Sequence, residues 1–130
     1  MATFIHPEGW PPAKGFAHAV AAEGRVIYVA GQWGSSPGGD FPAGLPAQTR
    51  QALQNIADVL KAAGAKPEHV VRLTWYMTDL GDYNTNLRDI GEAYRAVMGR
   101  HFPAMTAVEI ARLVDPRALV EIEATAVVPR

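Results

Sequence analysis

The sequence predicts a single domain over residues 1–130, an α/β or α+β sheet of five or six strands with two helices on one face. Three observations predict it. Segments at 15–22, 23–32, 69–79, 104–111 and 118–127 carry apolar residues that run together or alternate with a period of two, as strands do. Two segments, 46–63 and about 82–99, repeat their apolar residues with the helical period instead. The order ββ(β)αβαββ intermixes the two kinds of element, and packing both helices on one sheet face is the economical arrangement.

The first dozen residues, MATFIHPEGWPP, are rich in proline and glycine and read as an extended, capping segment. GFAHAVAA and EGRVIYVAGQ read as two strands joined by a tight turn at Glu23-Gly24-Arg25. GSSPGGDFPAG is too dense in Gly, Pro and Ser for regular structure. In the first helix Leu53, Ile56, Leu60 and Ala63 share a face, Gln48, Arg50, Gln51 and Lys61 point elsewhere, and Gly64 is a natural stop. Val71, Leu73, Trp75 and Met77 then alternate with Arg72, Thr74 and Tyr76. The second helix is capped near Asp82, ends at Gly99 and buries Leu87, Ile90, Tyr94 and Val97. VDPR, residues 114–117, forms the turn before the last strand. Val70, Tyr76, Val120 and Ile122 suggest a second apolar sheet face, which would bury itself against copies of the chain.

Composition narrows the function classes. At 48% hydrophobic and 19% charged, the chain is too apolar for disorder. A net charge of -1 gives no general attraction to nucleic acid or to an anionic membrane, so neither is expected as a partner. Without cysteine there is no disulfide, thiolate nucleophile or cysteine-bound metal, which fits the cytoplasm. The start lacks the basic and apolar regions of a signal peptide, and no apolar run is long enough to span a bilayer. His6, His18, His69 and His101 have no metal-ligand spacing, so no metal is expected, and each reads as packing or surface. GQWGSSPGG is no dinucleotide fingerprint, because prolines and not a helix follow it. Ser35 and Ser36 lack a nucleophile elbow, and Trp10, Trp33 and Trp75 read as core or interface rather than as a base-stacking platform.

One feature stands apart. In ALVEIEATAVV, Glu121 and Glu123 alternate with Val120, Ile122 and Ala124, so both carboxylates face one side of a strand. Carboxylates in so apolar a strand are costly unless they are paired or used. They either pair with arginines or backbone amides, or stand at a subunit interface where one orients or deprotonates a water.

Five stretches in order, the GQ at 31–32 after VIYVA, QTRQALQNIADVLKAAGA, VVRLTWYMTDL, FPAMTAVEIARL and ALVEIEATAV, resemble the Rid family (YjgF-type, long catalogued as endoribonuclease L-PSP). Its members include enamine/imine deaminases. The resemblance runs from about residue 14 to the C-terminus. It implies a chorismate-mutase-like α+β fold, a mixed six-stranded sheet with two helices on one face, a homotrimer with a central barrel, and active sites in intersubunit clefts that take a small molecule without a cofactor. It also implies roles: an arginine in an FPAR segment clamps the substrate carboxylate, the backbone amide of the glycine in the GQ pair assists, and a glutamate on the last strand holds the attacking water. Carried over, Gly31 and Glu121 match, with Glu123 as the structural member of the acidic pair. Gln32, Trp33 and Ala107 fall beside the matched positions and are candidate binding residues, as is Phe16, which stands where a tyrosine is common.

The clamp does not match: Met105 occupies the arginine's place. Ala30 replaces a frequent serine and Gly91 a usual asparagine of the second helix; Arg72, Arg100 and Arg112 are the candidates for a displaced cation. AGQWG, RLTWYMTD and PAMTAVEIA resemble the branch that includes 2-aminomuconate deaminase. The readings that follow are a deaminase of changed substrate, a non-catalytic ligand-binding or regulatory trimer and, least supported, an endoribonuclease. Losing one side of a buried Arg–carboxylate pair costs ~3–5 kcal/mol, or about two to four powers of ten. The chain is therefore expected to release ammonia from small 2-imino acids that much more slowly than a good deaminase, and Met105→Arg to raise the rate. An amino-acid oxidase coupled assay measures both; a native rate equal to that of a good deaminase contradicts the expectation.

Overall fold

The structure is a computed structural model that describes residues 2–130. Six strands and three helices follow one another as β1 (Thr3–Ile5), β2 (Ala19–Ala21), β3 (Arg25–Trp33), α1 (Leu45–Ala62), β4 (Val70–Met77), α2 (Leu80–Thr85), α3 (Leu87–Met98), β5 (Ala104–Glu109) and β6 (Val120–Val128), with a 3-10 turn at Pro67–His69. The α+β class holds. The six strands do not form one continuous sheet, however. Four make a sheet of order β3-β6-β4-β5, and β1 and β2 make a separate antiparallel pair. A single parallel bridge, Ala17 to Ala104, ties that pair to the β5 edge.

β4 and β5 are parallel, so their link must cross over the sheet, and α2 and α3 are that crossover. β6 arrives last and inserts antiparallel between β3 and β4. α1 and α3 lie side by side on the face where Leu73, Met77, Val120, Ile122 and Ala126 are fully buried. Leu53, Ile56 and Leu60 of α1 close the core from above, as their spacing predicts. α1 ends where Gly64 takes φ +76°, with Gly64 N–H on Lys61 O and Ala65 N–H on Leu60 O; the Arg25 guanidinium donates to Ala63 O at 2.8 Å.

Several expectations need correction. Glu23-Gly24-Arg25 is no hairpin turn, because β2 pairs back onto β1, whose residues were read only as extended. Gly24 is there for close approach: a Cβ on it would lie 2.1 Å from Val128 O. The second helix begins at Leu80, capped by Asp79 accepting from Asp82 N–H, and breaks at Asn86 into two. Leu87 is not in its buried stripe but 51% exposed. The second apolar face also dissolves. Val120 and Ile122 belong to the helix-side core, and a bulge between Val70 and Arg72 turns Val70 there too. What remains on the open face is mostly polar (Arg72, Thr74, Tyr76, Glu121, Glu123, Thr125), with Val26 and Tyr28 exposed among it.

Gln48 likewise turns inward, 4% exposed. Its Nε2 donates to Arg117 O at 3.1 Å and Pro42 O at 3.3 Å, and its Oε1 accepts from Leu119 N–H at 2.8 Å. It fastens α1 to the start of β6, two residues before Glu121. Gln48→Met keeps the volume but strands a buried donor and two carbonyls. We expect about 2–3 kcal/mol lower stability, read as a shifted urea midpoint at unchanged slope.

Candidate functional site

Strand register places the acidic pair. Along β6, Val120, Ile122 and Ala124 point into the core, and Glu121 and Glu123 point to the open face. Neither carboxylate is in an ion pair among the described residues. Glu123 accepts a hydrogen bond from Tyr76 Oη at 2.7 Å, which holds the Tyr76 phenol above its ordinary pKa. Glu123 is thus occupied structurally.

Glu121 is placed differently. β3 carries one extra residue between Val29 and Gln32 relative to β6, a bulge spanning Ala30 and Gly31. The Glu121 side chain lies across Gly31: a Cβ there would come within 2.6 Å of Glu121 Oε2 and 3.0 Å of its Cγ. Only a glycine leaves the carboxylate that room. Around it a cleft of about 520 Å³ opens along the β3 edge, walled by Gly31, Gln32, Trp33, Ser35, Asn55 and Asp58. Asn55 Nδ2 donates to Trp33 O (3.2 Å) and Ser35 O (2.8 Å), clipping the loop after β3 onto α1. Gly34 permits that contact, since a Cβ would sit 2.3 Å from Gln48 O. On the far side Arg117 lies 4.6 Å over the Phe41 ring and chelates Asp115, holding that carboxyl below the usual range.

The other predicted residues lie elsewhere. Phe16, Met105 and Ala107 line a second cleft, of about 470 Å³, between β5 and α3. Met105 pairs with the buried Leu73 and Ala107 with Trp75, so both point to the helix side. Behind them Trp75, Tyr94 and Phe102 stack at 6.2 and 5.5 Å, and burial pushes the Tyr94 phenol well up. Trp75 is 5% exposed and its Nε1–H has no acceptor among the described residues, an arrangement that costs about 1–3 kcal/mol. Thus Gly31, Gln32, Trp33 and Glu121 stand at the β3 edge of the sheet, and Phe16, Met105 and Ala107 at the β5 edge.

The cation candidates change as well. Arg72 lies on the open face beside Glu123, Arg100 beside His6 and His18, and Arg112 lines none of these clefts. The cations of the Met105 cleft are Lys14 and Arg95, which the sequence reading passed over. The signal was present in Gly91 and Arg95, one helical turn apart on α3. The histidines make local contacts: His101 bonds Val70 O, His69 accepts from Lys66 N–H, and His18 packs against His6, Trp10 and Phe16.

The family model described as endoribonuclease L-PSP matches residues 8–128. The chain belongs to that family. It is 38% identical over 120 residues to the 2-iminobutanoate/2-iminopropanoate deaminase of Bos taurus, covering 90% of this chain and 83% of that protein. To the deaminase of the same name from Escherichia coli K12 it is 36% identical over 132 residues, covering 98% of each. A Rid-family protein from Yersinia pestis superposes with a TM-score of 0.86 at 36% identity over 98% of each chain. The Rid resemblance drawn from the five sequence stretches is therefore correct.

Gly31→Ala puts a methyl group where Glu121 Oε2 now lies. We expect a crystal structure of the variant to show the carboxylate swung away, with little change in melting temperature. A misplacement of this size lowers any Glu121-dependent turnover by roughly a hundredfold.

Proposed function

We propose that the chain is a cytoplasmic enamine/imine hydrolase working as a closed ring of identical copies, the trimer of the sequence expectation. One observation carries the reading: Glu121 and Met105 project from opposite faces of one sheet, into clefts at its β3 and β5 ends, so a site containing both needs two copies. Two different edges meeting head to tail generate a ring when the rotation closes. The homologues' printed name, 2-iminobutanoate/2-iminopropanoate deaminase, supports the reaction class.

In that joint cleft an enamine first tautomerises to its imine. Water held by Glu121 adds to the C=N carbon, its proton passes through the carboxylate to nitrogen, and the carbinolamine collapses to a ketone and ammonia. The backbone N–H of Gly31 assists the substrate's anionic end, and no cofactor is needed. Met105, Phe16 and Trp33 form apolar walls and favour a larger or more apolar imine than 2-iminobutanoate, in the manner of the 2-aminomuconate-type branch. Neither cleft contains a histidine, which favours small-molecule chemistry over the RNA cleavage in the family's description. The uncharged Met105 gives a second reading, a trimer that binds a ligand without turning it over.

Mixing tests both. Glu121→Ala and Ala107→Trp subunits, each inactive alone, are co-refolded in equal amounts. If sites are shared, ammonia release returns to about a quarter of the native rate, because about one random junction in four joins two intact halves. No recovery sinks the shared site. Native protein that binds such imines and releases no ammonia establishes the second reading.

A further inference from the structure

We propose that the cleft between β5 and α3 binds a carboxylate through Arg95, a cation supplied by the helix in place of one on the strand. The residues that line it include two cations, Lys14 and Arg95, and no acidic side chain. Arg95 is exposed and has no ion-pair partner among the described residues. Its guanidinium occupies a notch that exists because residue 91 is glycine: a Cβ on Gly91 would lie 3.1 Å from Arg95 Nη1. A larger side chain at 91 would push the guanidinium away from that position.

A second, independent feature points to a ligand. Trp75, nine-tenths buried and part of the same wall, has an indole Nε1–H with no acceptor among the described residues. A ligand oxygen supplies one. The layout also gives the chemical class. Charge sits at the mouth, on exposed Arg95 and Lys14, and the interior is apolar, with Met105 half-buried and Trp75 buried. Such a cleft takes an amphiphilic carboxylate: an anionic end on Arg95 and an apolar body against Met105 and Leu87. Combined with the hydrolase reading, on which this last step rests, the substrate is an imino or enamino acid that carries an apolar segment.

Titration calorimetry with 4-phenylbutanoate and its uncharged amide tests the cleft without requiring turnover. Native protein binds the acid at least about tenfold more tightly than the amide. Arg95→Gln abolishes that preference with melting temperature unchanged, Arg95→Lys restores part of it, and Gly91→Asn weakens acid binding by crowding the guanidinium. Equal binding of acid and amide by native protein, or an undiminished preference in Arg95→Gln, overturns the inference. If the preference behaves as stated but no imine is hydrolysed, the anion site stands and only the hydrolase reading falls.

Discussion

β6 lies between β3 and β4 and is hydrogen-bonded along its length on both sides, so its register leaves its residues no freedom of face. Val120, Ile122, Ala124 and Ala126 are committed to the core, and with them Glu121 and Glu123 to the opposite surface. A slip of one residue would bury two carboxylates and expose four core side chains. The hydrophobic effect that stabilises the sheet therefore also aims the acidic pair. Gln48 fixes where the strand starts, and the bulge at Ala30–Gly31 fixes what Glu121 meets when it arrives. The two glutamates then diverge because of their neighbours: Tyr76 engages one, and a missing side chain leaves room for the other.

The same topology explains why one chain holds two half-equipped clefts. The strand order puts β3 and β5 at the two ends of the sheet, and each end collects one cluster of candidate residues. No side-chain rotation joins Met105 to Glu121 within a chain, because β4 lies between their strands and the two side chains project from opposite faces of the sheet. In the proposed ring each junction would instead unite an acidic edge with an apolar one. A polar open face then need not be hidden by hydrophobicity alone; Tyr28, Val26 and Val108 are among the exposed apolar parts available for burial between copies.

Period and alternation made much of this legible in advance. The core face of α1, the alternation of β4 and the shared side of Glu121 and Glu123 all follow from short-range pattern, which burial enforces. The errors arise where pattern is silent. Gly24 looked like a turn residue, yet its constraint is the passing end of β6, more than a hundred residues away in sequence. Val70 looked like second-face material because a bulge cannot be seen in a run of valines. Gln48 looked like surface because a polar residue's buried partners, here backbone groups near residues 42 and 117–119, are invisible to helical spacing. The split of the site residues between two edges depends on strand order, to which local periodicity is blind.

Positions 91 and 105 show the same limit most sharply. Read singly, Met105 is a lost clamp and Gly91 an unremarkable helix glycine, which costs helix stability and offers no contact. The structure gives the glycine a neighbour, the Arg95 guanidinium, in the cleft that Met105 lines. Charge complementarity belongs to a cavity and not to a residue: the cleft has its cation on α3 while its strand position is apolar. A substitution that removes a functional group is therefore best judged against every side chain that can reach the same space, including those released by the loss of a Cβ one turn away.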